Sequence, residues 1–118
     1  RLSRLCGSGA AKQMIFTADK WSAEEALRVG LVDVVVPPEG LMRTARDLAL
    51  KIMSKSMNAI KLAKKAINEG LRLEFRQGLL VENECWAKCF AADGDGHEGM
   101  TAFTEKRPAN FDHPPRRA

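Results

Sequence analysis

From Leu41 to Phe90 apolar residues recur three and four positions apart, whereas one run alone, Leu31 to Val36, reads as a strand. That imbalance decides the fold class. Spacings of three and four put side chains on one face of an α-helix. Leu41, Ala45, Leu48, Ala49, Ile52 and Met53 make a first stripe. Ala59, Ile60, Ala63, Ala66 and Ile67 make a second, with Ser56 placed to cap that helix and Gly70 at its end. Lys61, Lys64 and Lys65 sit largely off this stripe, as solvated residues should. A third helix is expected from about Leu73 to Phe90, with Phe75, Leu79, Trp86 and Phe90 near one side. The run LVDVVV is β-branched and ends at Pro37-Pro38. A single strand cannot pair with itself, so its backbone groups need a partner strand, packed elements or water. The expectation is a mainly α chain with one short β-strand.

The flanking segments fit that frame. RLSRLCGSGAAKQMIFTADK reads as a loop or helix end, then a short helix around Ala10 to Phe16, with Gly7 and Gly9 breaking the first run. Ser22 and Glu25 are spaced as a capping box, in which each side chain bonds the other's backbone N–H. Gly30 suits a left-handed stop to that helix. Ala91 to His97 reads as a turn. Asp95 is a cap-like start for a helix reaching about Lys106, which Pro108 stops. Residues 1–112 read as one helical region and 113–118 as a disordered tail.

The 118 residues carry a net charge of +4, with both signs interspersed. Such a surface tolerates anionic ligands but lacks the concentrated basic stripe that nucleic acid requires. No apolar stretch approaches a membrane span, and no signal peptide is visible, so no membrane role is expected. Three cysteines make no disulfide framework, which favours a reducing cytoplasm or mitochondrial matrix.

Most chemistry-bearing residues have a plain reading. Asp93-Gly94-Asp95-Gly96-His97 hints at a calcium loop but fails that template, because Glu98 stands where glycine is needed. Cys85, Cys89 and His97 lack both zinc-finger spacing and a fourth ligand. Ser22 is explained as a cap. The dense stretch is Glu98 to Phe111, EGMTAFTEKRPANF. Phe103 and Lys106 lie three apart and share a helical face. A ring beside an ammonium suits a nucleotide, the ring stacking on a base and the cation meeting a phosphate. The plain alternative is a surface helix whose Phe103 faces the core and whose basic end complements the dipole.

The same stretch resembles the C-terminal signature of the crotonase (enoyl-CoA hydratase/isomerase) family, D-x-x-E-G-x-x-A-F-x-E-K-R-x-P-x-F. It runs here from Asp95 to Phe111 with the proline shifted by one. RLSRLCG resembles the family's R-L-x-R-x-x-G. TADKWSAEEALRVGLVDVVVP resembles its T-G-x-x-x-s-A-x-E-A-x-x-x-G-L-V-x-x-V-x-P. The lysine-rich helix from Asn58 and the acidic-aromatic helix around Glu82 follow in family order, so the resemblance covers nearly the whole chain. Two departures stand out: Ala18 replaces a glycine, and AADGDGH is one residue longer than usual.

The resemblance implies the C-terminal helical, trimerisation portion of a crotonase-like fold, without the N-terminal β-rich spiral core. It implies an acyl-CoA or enoyl-CoA partner, no cofactor beyond the CoA of the substrate, and a trimer or dimer of trimers. Phe103 and Lys106 map onto the aromatic and lysine that hold the adenine and phosphate end of CoA, often on the adjacent subunit. Trp86 maps onto an aromatic lining the acyl or pantetheine channel, and Arg107 is a secondary candidate. The family's oxyanion hole and catalytic carboxylates lie upstream of R-L-x-R. No catalytic residue is assigned here, and Glu24, Glu25, Glu82, Glu84 and Glu98 read as capping or solvated residues. The expected activity is that of part of an enoyl-CoA hydratase or isomerase. The rival reading is a non-catalytic helical module that oligomerises or binds acyl-CoA.

Overall fold

The computed structural model describes residues 1–92 and 94–111. The tail expected at 113–118 lies outside them. Helices α1 (Leu2–Thr17), α2 (Ala23–Arg28), α3 (Leu41–Met53), α4 (Met57–Gly70), α5 (Phe75–Cys89) and α6 (Gly96–Thr104) follow in order, with a 3₁₀ turn at Pro38–Gly40 before α3. Contacts divide the chain into two compact units, Arg1–Arg46 and Asp47–Ala118.

In the first unit, the expected break in α1 falls at Gly7 and not at Gly9. Gly7 alone leaves helical geometry, at φ 79° and ψ 163°, and the helix resumes on its far side with Gly9 inside it. Ala18 then ends α1 in the left-handed region at φ 55°, its N–H donating to the Met14 carbonyl. This is the position where the family pattern carries glycine. The expected capping box is present on α2: Glu25 N–H donates to Ser22 Oγ at 3.1 Å, and Ser22 N–H to Glu25 Oε2 at 2.8 Å. Gly30, at φ 74°, closes α2 by sending the Leu31 N–H to the Ala26 carbonyl and its own to Leu27. This pair of bonds is the Schellman stop.

That stop also explains why the expected strand is absent. Leu31 to Val36 forms no strand, and the described residues contain none. The N–H groups of Leu31 and Val32 turn back to the Ala26 carbonyl, and no partner strand is offered to the rest. β-branched composition gives a preference for extended backbone; without a ladder it gives no sheet.

In the second unit, α4 and α5 form a helical hairpin. The crossing is close because both helices present glycine: a Cβ on Gly78 would lie 3.2 Å from the Gly70 carbonyl oxygen. Glu74 caps α5 through the Arg76 N–H at 3.0 Å. Ser56, 4% exposed, caps α4 by accepting from the Ala59 N–H at 2.9 Å. Its hydroxyl also donates to the Asp95 carboxylate. Asp95 was expected to cap α6, yet its side chain makes no such bond there. The buried serine has claimed it, and this joins the start of α4 to the start of α6. Gly94 and Gly96 lie against the end of α5, where a methyl on either would overlap the Cys89 carbonyl oxygen. The glycines of DGDGH therefore serve a close backbone approach.

The core is small. Ala11, Cys85 and Ala102 are its buried apolar residues among those described. Leu41, Leu48, Ile52 and Met53 of the α3 stripe are exposed, as are Phe16, Leu71 and Phe75. Helices with this much apolar surface in water are built to be covered.

Ala18 gives a sharp test. A left-handed residue with a Cβ is strained, and glycine relieves that strain at some cost in unfolded-state entropy. Ala18→Gly is expected to stabilise the chain by up to about 1 kcal/mol in urea unfolding. A lower midpoint would contradict this account of the α1 stop.

Candidate functional site

The C-terminal helix positions the candidate ligand residues by how it ends. Ala102 is 2% exposed and fixes the inner face of α6. The next residue, Phe103, is 84% exposed, so the alternative in which its ring faces the core does not hold. After Glu105 the chain turns left-handed at Lys106, φ 53°. Lys106 N–H donates to the Phe103 carbonyl at 3.3 Å, and Arg107 N–H to that of Ala102 at 3.1 Å. This is a second Schellman stop, with lysine where glycine is usual.

Reversing the chain there brings Arg107 back over α6. Its Nη1 and Nη2 grip both oxygens of Glu98, at 2.7 and 2.9 Å. Its Nε donates to Glu105 at 2.6 Å. The backbone N–H of Asn110 adds a bond to Glu98 Oε1 at 2.6 Å. The bonds from Arg107 first, and from Asn110 second, lower the Glu98 pKa to about 2 from its ordinary value of 4.5. The same partners hold Arg107 still more firmly protonated than usual. A carboxyl so acidic stays ionised and spent, which makes it a poor proton donor. Arg107, read as a secondary ligand candidate, has its guanidinium committed to this clasp. Lys106 and Phe103 have no side-chain partner among the described residues.

Trp86 lies in a different cluster. It is 67% exposed on α5 and sits at the rim of an apolar groove of about 460 Å³ between α4 and α5. Ala59, Ala63, Ala66 and Ile67 of the expected α4 stripe line that groove. The Trp86 ring lies 5.0 Å from that of Phe90, which meets His97 edge-on at 5.8 Å. His97 Nε2 is 3.2 Å from the Phe90 carbonyl oxygen. Cys85 is buried and Cys89 half-buried, both as free thiols. Among the described residues no three metal-ligating side chains converge, and no helix is long and apolar enough to cross a membrane.

Sequence reasoning missed the clasp. Glu98 and Arg107 are nine positions apart, outside the helical pair spacings. The only route to them is the left-handed turn at Lys106, and lysine does not announce one.

The family model for enoyl-CoA hydratase/isomerase matches residues 1–114. The chain belongs to the enoyl-CoA hydratase/isomerase family. It is 50% identical over 107 residues to a short-chain-enoyl-CoA hydratase of Clostridium acetobutylicum, covering 91% of this chain and 41% of that protein. It is 47% identical over 111 residues to a crotonyl-CoA hydratase of Syntrophomonas wolfei, covering 94% of this chain and 42% of the relative. The crystal structure of an enoyl-CoA hydratase from Bacillus anthracis matches with a TM-score of 0.85 at 39% identity, over 93% of this chain and 42% of that one. The chain thus spans about two fifths of the length of the curated relatives it matches. Its helices are a helical portion of the crotonase fold, and the family match includes Trp86, Phe103 and Lys106.

The clasp has a pH signature. The folded Glu98 pKa lies below the ordinary value, so its contribution to stability is complete above 4.5 and is lost as pH falls toward about 2. The Asn110 amide resonance is expected to hold steady from neutral pH to about 4.5 and to move only below it. Glu98→Gln should abolish that movement. A midpoint at the ordinary carboxylate value would contradict the clasp.

Proposed function

We propose that this chain is the CoA-edge and assembly portion of an enoyl-CoA hydratase. The single observation that carries the reading is Phe103 and Lys106, an exposed ring at the end of α6 and an exposed cation just beyond it, neither with a side-chain partner among the described residues. The ring offers a face to adenine, and the ammonium meets the phosphate end of CoA. Trp86, at the rim of the α4–α5 groove, contacts the acyl or pantetheine arm. The substrate class is enoyl-CoA thioesters, supported by the hydratases that the chain resembles. Residues 1–112 act as one helical region in the whole protein.

The whole protein adds water to a trans-2-enoyl-CoA. Donors to the thioester oxygen stabilise the enolate, and carboxylates outside these residues move the protons. In this chain Glu98 is locked as an anion by Arg107 and the Asn110 N–H. The exposed stripes of α1, α3 and α5 supply oligomer contacts, in a trimer or a dimer of trimers, together with docking of the N-terminal half. The compartment is the cytoplasm or the mitochondrial matrix, in keeping with relatives of both bacterial and mitochondrial origin.

CoA titration followed by calorimetry tests the site. Phe103→Ala and Lys106→Ala are each expected to weaken binding, by about fivefold or more, with α-helix content unchanged. Unchanged affinity in both variants would remove Phe103 and Lys106 from the site.

A further inference from the structure

The sequence around Lys106 poses an electrostatic problem. The lysine follows Glu105 directly, and Glu98 lies in the first turn of the helix that precedes it. An exposed ammonium is free to pair with a carboxylate of its own segment, and a paired ammonium attracts a phosphate less. Lys106 is nevertheless unpaired among the described residues. The two acids are taken up by Arg107, with both Glu98 oxygens on its Nη atoms and Glu105 on its Nε. The Asn110 N–H takes a further share of Glu98.

The backbone problem is related. Lys106 stands in the left-handed region, which disfavours any residue with a Cβ. The residues on either side of it, Glu105 and Arg107, are bonded to each other, and Arg107 is bonded back to α6. The clasp therefore straddles the strained residue and closes the turn around it. Arginine is suited to this because its planar fork grips one carboxylate with two donors while a third reaches the other.

We propose that Glu98 and Arg107 are positioning residues for Lys106: their clasp fixes its left-handed turn and engages both carboxylates of this helix end, so that neither competes with an anion for the Lys106 ammonium. The inference rests on the reading of Phe103 and Lys106 as a CoA edge. It adds that a negatively charged residue, Glu98, favours binding of a negatively charged ligand.

That sign makes the test decisive. CoA and adenosine 3′,5′-bisphosphate are titrated into the full chain and into Glu98→Gln, Arg107→Lys and Lys106→Ala. Simple electrostatics has Glu98→Gln bind more tightly, because a negative charge is gone. The clasp has it bind more weakly, by about two- to fivefold, the range of an exposed ion pair. Arg107→Lys keeps every charge but loses the fork, and is expected to weaken binding to a similar degree. Should Glu98→Gln unfold α6, the charge-conserving Arg107→Lys carries the test. In both clasp variants the Lys106 HN–Hα coupling and Cα shift are expected to leave their left-handed values, a signature that mere loss of net charge would not produce. Equal or tighter binding by Glu98→Gln, or full affinity in Arg107→Lys, overturns the clasp while leaving the CoA edge standing. Full affinity in Lys106→Ala removes Lys106 from the CoA edge, and the inference with it.

Discussion

Backbone meets backbone at the end of α5, and the second unit is arranged around that contact. Gly94 and Gly96 lie so close to the Cys89 carbonyl that no side chain fits between. The approach sets where α6 starts. The buried Ser56 hydroxyl, bonded to Asp95, ties that same point to the start of α4. Once α6 is anchored there and through Ala102, its far end is determined by the left-handed stop at Lys106. The stop returns Arg107 to Glu98, and Phe103 is left facing water. Each step is local, yet together they carry a packing constraint at one end of a short helix to a ring and a cation at the other.

The chain buries little of its own apolar surface. Ala11, Cys85, Ala102 and Ser56 are its buried residues among those described, whereas large apolar side chains on α1, α3 and α5 lie open. An isolated helical bundle would have turned those faces inward. Here the stripes remain regular and uncovered, in keeping with a chain that spans about two fifths of its relatives. On the proposed reading they are the surfaces by which the helical portion joins copies of itself and the rest of the fold.

The helices were legible in the sequence because their cues are local. The Ser22–Glu25 box, the Gly30 stop and the Ser56 cap all act within a few residues. What escaped depends on partners. LVDVVV has strand composition, but its first N–H groups are drawn back to Ala26 and the described residues offer it no other strand. Asp95 has the spacing of a cap, but a serine thirty-nine residues away takes its carboxylate. The Glu98–Arg107 clasp follows from a left-handed lysine, which no composition rule foretells. Ala18, in contrast, was visible as a departure from the family pattern, and it occupies the left-handed position that the missing glycine would have filled.

The central claim is that the end of α6 is the ligand-facing edge of this chain. The most direct test is a map of amide and side-chain resonances on the isotopically labelled chain as CoA is added. The account predicts that the largest shifts fall on Phe103 to Arg107, with smaller ones at Trp86 along the α4–α5 groove. Shifts confined to the groove, or a Lys106 whose resonances do not move, would contradict it.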